Sequence, residues 1–201
     1  MTHELLALSR PEWAQRTDIV RYAERQAQSC QYLERVFGEI HRRTERLEPG
    51  LKNDLAELFF YLLGIHRRQY KDLESVTFIP QDPDRRSYYF DTIYKSFGLS
   101  PAQLPKEISK EDLLSILAIQ VVSYMRGRDR YDILRSYEGE SNRKFIPVWS
   151  KFFLDATGNT KKVLSFMDKH YSLVDLKERM DLVLIAEDKM MKDIWCRVGI
   201  I

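Results

Sequence analysis

Arginine clusters are the residues of this sequence that could most directly do chemistry, because guanidinium groups bind phosphate oxygens through paired hydrogen bonds. The clustered arginines are Arg42, Arg43, Arg67, Arg68, Arg85, Arg86, Arg126, Arg128 and Arg130. Arg85 and Arg86 lead into Tyr88-Tyr89-Phe90, and cations beside stackable rings are typical of single-stranded nucleic-acid surfaces. Acidic neighbours such as Glu39 can neutralise these charges locally. The clusters therefore predict nucleic-acid binding as an alternative function.

Three polar residues stand at apolar positions of predicted helices and could act in an enclosed site. They are Glu34, Gln120 and Glu187. A buried carboxylate can serve as a general acid, but neither a nucleophile nor a glycine-rich anion loop accompanies them. A structural carboxylate paired with an arginine is the commoner arrangement. We therefore expect no catalytic residue here and lean against an enzyme.

The histidines and cysteines do not predict a metal site. His41 and His66 fall on neighbouring helices of a predicted hairpin, where their register separates them by roughly 12 Å along the axis. His66 is therefore expected to be a core or boundary residue. Cys30 and Cys196 lie near opposite ends of the chain, so neither a disulfide framework nor a cysteine-based zinc site is expected. This cysteine usage favours a reducing cytoplasm.

Familiar catalytic and cofactor motifs are missing from the chain. It contains no G-x-x-x-x-G-K, G-x-G-x-x-G, H-E-x-x-H or G-x-S-x-G, and it has only 8 glycines. The 32 basic residues are nearly balanced by 30 acidic ones, so bulk charge does not predict a polyanion partner. We expect no cofactor and no metal.

The elements that would position these residues are helices. Few turn formers and clear 3.6-residue periodicity predict an all-α domain spanning residues 1–201. The first long helix is expected from Pro11 to about Leu47, with a tolerable break near Asp18. After Pro49-Gly50 the pattern resumes over 51–73. These two helices predict an antiparallel hairpin over 11–74, packed on a helical body over 82–201.

The most apolar stretch predicts a central helix over 110–126. Ser109 and Asp112 are spaced as a capping box, and Gly127 is expected to stop the helix. Its 13 residues from Leu113 to Met125 are too few to span a bilayer, so no membrane insertion is expected. We predict burial on all sides, with Gln120 hydrogen-bonded to another helix.

Shorter helices are expected around that centre. A helix with Pro83 in its first turn should end before Gly98, and another is expected over 128–137, followed by an exposed loop over 138–142. An aromatic segment opened by Pro147 should stop at Gly158, Asn159 or Thr160 should cap the next helix, and Ser172 with Asp175 should begin the last one. The sum is an irregular bundle of about seven or eight helices.

Our leading hypothesis is a non-catalytic interaction protein: an adaptor, a chaperone-like protein or a regulatory subunit that binds a protein partner through helix grooves and aromatic surface. The expected partner-binding residues are Tyr88, Tyr89, Phe90 and Trp149. The alternative is a nucleic-acid-binding subunit of a ribonucleoprotein or defence complex that uses the arginine clusters. A third class, an enzyme or small-ligand carrier, requires a cavity that touches Glu34, Gln120 or Glu187.

Overall fold

The computed structural model describes residues 18–79, 88–99 and 104–197, with the side chains of residue 88 and residues 191–197 excepted. These residues form helices and no strands, which confirms the all-α prediction. The helices are α1 (Ile19–Arg42), α2 (Pro49–Glu74), α3 (Tyr88–Ser96), α4 (Lys110–Arg135), a 3-10 helix (Glu140–Phe145), α5 (Ile146–His170) and α6 (Leu173–Arg197). Their largest hydrophobic core receives buried side chains from all six α-helices.

Helices α1 and α2 pack together as the predicted hairpin. Asp18 caps α1, since its carboxylate accepts a hydrogen bond of 3.0 Å from the backbone N–H of Arg21. Pro49 occupies the first turn of α2, where its missing N–H costs no helical hydrogen bond. The ring of Phe37 stacks on that of Phe59 at a centroid distance of 4.9 Å. The predicted start of the first helix at Pro11 lies outside the described residues.

Helix α4 is the central helix, and its start is the predicted capping box. The Ser109 side chain accepts from the backbone of Asp112, and Asp112 accepts from the backbone of Ser109. Residues 113–122 are all buried. Gln120 is fully buried, and its Nε2 donates a hydrogen bond of 2.7 Å to the hydroxyl of Tyr94 on α3. Burial and the partner of Gln120 are as predicted, whereas Met125 is exposed.

The described residues form six α-helices and not the predicted seven or eight, in part because two glycines do not end their helices. Gly127 lies inside α4 and Gly158 inside α5, so the expected helix over 128–137 and the one capped by Asn159 are continuations. Glycine costs about 1 kcal/mol inside a helix, which packing can outweigh. A Cβ at Gly127 would lie 3.3 Å from the Tyr131 ring, and one at Gly158 would lie 3.4 Å from the Tyr61 hydroxyl. Both glycines therefore permit close approach of an aromatic side chain.

The segment expected to be an exposed loop after α4 is partly a 3-10 helix with a buried anchor. Asn142 is fully buried, and its Nδ2 donates to the backbone carbonyls of Leu134 and Tyr137 at 2.6 and 2.7 Å. Its Oδ1 accepts a hydrogen bond of 3.0 Å from Trp149 Nε1. One asparagine thus joins the end of α4 to the start of α5.

The end of α3 and the start of α6 follow the predicted signals, whereas α1 ends at Arg42 and not near Leu47, and the predicted helix start at Pro83 lies outside the described residues. Gly98 adopts φ 69°, and the N–H of Leu99 donates to the carbonyl of Tyr94, which is the glycine cap expected after α3. Ser172 accepts from the backbone of Asp175 at the start of α6. None of the described helices combines the length and apolar character needed to cross a membrane.

Candidate functional sites

The described clustered arginines, with the exception of Arg130, are paired with carboxylates. Arg42 and Arg43 both contact Glu39, and Arg67 and Arg68 contact acidic residues on other helices. Their partners are Glu34 for Arg67 and Asp155 for Arg68. The other ion pairs of the clusters are Arg126–Glu187, Arg126–Asp188 and Arg128–Asp129. These pairs neutralise charge locally, so the described clusters lend the nucleic-acid alternative little support. Arg85 and Arg86 lie outside the described residues.

Two of the aromatic residues expected to contact a partner are in the core. Trp149 is fully buried, and its ring stacks between those of Tyr131 and Phe145. Phe90 is 4% exposed. Neither ring can therefore contribute to an exposed aromatic surface in this structure. Tyr89 is half-buried, and the side chain of Tyr88 lies outside the described part of the chain.

The three polar residues that were noted at apolar positions of the predicted helices lie in different environments. Glu34 is half-exposed and paired with Arg67. Gln120 is buried against Tyr94. Glu187 is fully buried, where it accepts hydrogen bonds from the Tyr89 hydroxyl at 3.0 Å and from Arg126 Nε at 2.8 Å. None of the three lines the cavity described below or either of two more open surface pockets, so we drop a catalytic or carrier role built on them.

A different polar cavity lies where five α-helices meet, and we call it the central cleft. It has a volume of about 100 Å³, and α1 to α5 all contribute to its lining. The lining residues used below are Tyr22, His66, Arg126, Arg130 and Asn159. The described lining includes two arginines and several neutral hydrogen-bonding groups but no carboxylate. The cleft can therefore offer donors and positive charge to a small molecule.

The cleft contains buried polar atoms with no partner among the described protein groups. Asn159 is 1% exposed, and neither its Nδ2 nor its Oδ1 is hydrogen-bonded. His66 is 4% exposed, and its Nδ1 forms no hydrogen bond of good geometry with a described protein group, although Gln69 lies close enough to oppose the effect of burial on the pKa of the ring. A buried polar group left unpaired costs about 1 to 3 kcal/mol. Such atoms are uncommon in a native interior, and three of them belong to two residues that line this one cavity.

His66 presents an uncharged ring to the cleft. Burial lowers the pKa of His66 from 6.5 to about 4, against a smaller opposing effect of Gln69. The Nε2 atom lies 3.0 Å from the hydroxyl of Tyr124, and burial raises the pKa of that phenol well above 10.0. The phenol therefore stays protonated and can donate to Nε2, which leaves Nδ1 to carry the imidazole proton.

The two cleft arginines differ in how their charge is balanced. Arg126 is 11% exposed in its side chain and contacts Glu187 at 2.8 Å and Asp188 at 3.2 Å. Arg130 hydrogen-bonds the Tyr22 hydroxyl, and it forms no ion pair with a carboxylate among the residues that the structure describes. The Tyr22 hydroxyl can accept a hydrogen bond from the Arg130 guanidinium, but it carries no charge that would balance the guanidinium. Glu187 also acts on the charge of Arg130 without a direct ion pair, so Arg130 is the cleft arginine that has no carboxylate within ion-pair distance among the described residues.

A second candidate site is an apolar surface on α6. Four large aliphatic side chains are exposed on this helix, and they are Leu173 at 77%, Val174 at 74%, Leu182 at 45% and Ile185 at 67%. At about 100° per residue, the last three fall within an arc of about 80°. We call Val174, Leu182 and Ile185 the outer face of α6. The opposite side of the helix carries buried Val183 and Met190 into the core.

Sequence reasoning missed the main features of both sites. Asn159 was expected to cap a helix, and no local pattern distinguishes a capping asparagine from one in a helix interior. Arg130 and His66 were singled out, but as members of a cluster and of the core. The outer face of α6 was hidden because apolar residues cover more than one side of that helix, and the residues facing the core could not be separated from the others.

Clusters of three or more His, Cys, Asp or Glu side chains that could hold a metal ion are absent from the described residues. Comparison with known proteins adds no assignment. The chain matches no protein-family model, no curated protein and no solved structure.

Proposed function

We propose that this protein is a non-catalytic helical interaction protein that docks a protein partner on the outer face of α6. The observation that carries the proposal is the exposure of Val174, Leu182 and Ile185 along one side of a helix. Large aliphatic side chains that line up in this way mark interaction surfaces more often than isolated exposed ones do. The spacing suits the packing of one helix against another.

The charges beside this face favour a second copy of the chain as the partner. Glu178 and Lys189 are both exposed and lie on the same arc of the helix as the apolar side chains. An antiparallel pairing that sets Leu182 against the second copy's Ile185 also sets Glu178 against its Lys189. The two-fold symmetry repeats each contact, so one such pairing makes two apolar contacts and two ion pairs.

The expected dimer is weak, because a single helix pair buries less area than a standard interface of about 1,600 Å². We expect a dissociation constant on the order of 100 µM. Sedimentation equilibrium up to about ten times that concentration should show concentration-dependent dimers. A wild-type protein that stays monomeric over this range would refute docking through α6.

Charge exchange tests the register of the pairing. Glu178→Lys places like charges opposite each other twice and should weaken the dimer about tenfold. The double variant Glu178→Lys with Lys189→Glu should restore affinity to within about threefold, since opposite charges then face each other again. Glu138→Lys, an equal charge change at an exposed residue outside α6, is the matched control and should leave dimerisation unchanged.

The nucleic-acid alternative stays a prediction. Mobility-shift assays with single-stranded RNA over a salt series test it, because binding that depends on phosphate contacts falls steeply as salt rises. Lack of binding at low salt would remove this alternative without affecting the outer face of α6.

A further inference from the structure

We propose that the central cleft is a binding site for a small monocarboxylate that also carries a hydroxyl group, of which glycolate is the shortest example. The site is independent of the outer face of α6. The residues that recognise such a ligand are Arg130, Asn159 and His66, which all line the same cavity. They come from α4, α5 and α2, so the site exists only in the folded protein.

The size of the cleft limits the ligand. An apolar cavity of about 150 Å³ accepts benzene, which has six non-hydrogen atoms. The central cleft measures about 100 Å³. A ligand that it encloses therefore has about four to six non-hydrogen atoms. Glycolate has five, whereas a nucleotide or a sugar is too large to be enclosed.

Asn159 specifies a group that both donates and accepts hydrogen bonds. Its Nδ2 and Oδ1 are buried together with no partner among the described groups. A hydroxyl group can accept from Nδ2 and donate to Oδ1, while a carboxylate oxygen can only accept. A ligand with a carboxylate alone would leave Oδ1 unpaired. The amide therefore favours a hydroxyl beside the carboxylate.

Arg130 specifies the negative charge. Its guanidinium lies in a cavity whose described lining has no carboxylate, while the neighbouring Arg126 is already held by Glu187 and Asp188. A partly buried cation is stabilised by an opposite charge within hydrogen-bonding distance. Nδ1 of His66 can donate a further hydrogen bond to the same anion.

The charge balance favours a monoanion over phosphate. Among the described residues of the cleft, Arg130 is the arginine without an ion pair, and Glu187, which pairs with Arg126, also interacts with the charge of Arg130. A dianion would bring a second negative charge close to Glu187, where no further cation is available to balance it. A monocarboxylate can pair with Arg130 while being repelled less by Glu187 than a dianion would be.

Binding is tested on the full chain with glycolate, acetate and inorganic phosphate as probes. Isothermal titration gives the affinity, and the ¹⁵N–¹H signals of the Asn159 side chain report on the site directly. We expect glycolate to bind with a dissociation constant on the order of 1 mM and to shift these signals. Acetate should bind at least about tenfold more weakly, because it lacks the hydroxyl.

Two variants test whether the unpaired polar atoms of the cleft bind a ligand or are only a destabilising feature of the core. Arg130→Gln should weaken glycolate binding at least about tenfold. Asn159→Leu should remove the preference for glycolate over acetate while raising the melting temperature of the ligand-free protein, because an apolar side chain of similar size replaces unpaired polar atoms. Arg128→Gln is the matched control. Arg128 is on the same helix but is outside the cleft and paired with Asp129, so its loss should not change binding.

Three results would overturn the proposal. One is the lack of saturable glycolate binding up to about 50 mM, which would leave only solvent as an occupant of the cleft. Another is unchanged glycolate affinity in a folded Arg130→Gln protein, with folding judged by circular dichroism and thermal melting. The third is tighter binding of inorganic phosphate than of glycolate, which would contradict the charge balance.

Discussion

Replacement of Glu187 by leucine should strongly destabilise the protein, because this carboxylate joins three helices inside the core. Glu187 on α6 is fully buried and accepts hydrogen bonds from Tyr89 on α3 and Arg126 on α4. Loss of the charged hydrogen bond from Arg126 costs about 2 kcal/mol, and the unpaired Tyr89 hydroxyl adds about 1 kcal/mol. We expect a total loss of about 3 kcal/mol, at the lower end for a broken buried pair because Asp188 still contacts Arg126.

Urea unfolding followed by circular dichroism at 222 nm measures this loss, and thermal melting should show a decrease of about 6 to 12 °C for a chain of this length. Asp188→Ala is the control. Asp188 contacts the same guanidinium, but it is about one third exposed, and its loss should cost less than about 1 kcal/mol.

The double variant Arg126→Leu with Glu187→Leu tests whether stability is lost because the charge of Arg126 stays buried without its main partner. Removal of both charges leaves no uncompensated cation, so the double variant should be no less stable than Glu187→Leu alone. A Glu187→Leu protein that loses under 1 kcal/mol, or a double variant whose loss equals the sum of the two single losses, would refute this reasoning.

Three further predictions follow from local features of the structure. The pKa of His66 is lower in the folded protein, at about 4, than the ordinary 6.5, so the unfolded chain binds the proton first and stability should fall by about 3 kcal/mol as the pH decreases from 6.5 through 4. Midpoints of urea unfolding measured over this pH range should decrease less for His66→Gln than for the wild-type protein. Gly98→Ala should cost about 1 kcal/mol because φ is 69°, whereas Gly64→Ala, inside α2 with open space around the new Cβ, should add up to about 1 kcal/mol; melting temperatures should move in opposite directions. Asn142→Ala removes three buried hydrogen bonds and should cost about 3 kcal/mol by urea unfolding, while Ser141→Ala at the exposed neighbouring position should cost little.

Helix starts were predictable from sequence because their stabilising contacts are local. Ser109 and Asp112, and likewise Ser172 and Asp175, are three residues apart and complete their hydrogen bonds within one helical turn. The glycine stop after α3 was predictable for the same reason, since Gly98 adopts the left-handed conformation that other residues disfavour.

Gly127 and Gly158 could not be assigned in this way. Whether a helix ends at a glycine or continues through it depends on a free-energy difference of about 1 kcal/mol. Contacts with distant residues can outweigh a difference of this size. The Tyr61 hydroxyl beside Gly158 comes from another helix, and Tyr131 beside Gly127 is held by packing against Trp149. The Tyr61 contact cannot be inferred from the residues near Gly158, and the ring position of Tyr131 beside Gly127 depends on the distant Trp149.

The candidate sites were less predictable than the fold. Aromatic content suggested a partner surface at Phe90 and Trp149, but both side chains are buried. The exposed apolar residues are aliphatic and lie on α6. An apolar side chain can be buried in the core or exposed to a partner, and the difference depends on which helices surround it.

The sequence by itself determined that this chain is an all-α protein built around a buried central helix, because periodicity and capping are local and the uninterrupted apolar stretch requires cover on every side. Only the tertiary structure decided which polar side chains share a cavity. His66, Arg130 and Asn159 come from three helices, and the packing angles that bring them together arise from many weak contacts across the core. Their chemistry as a group is therefore a property of the fold.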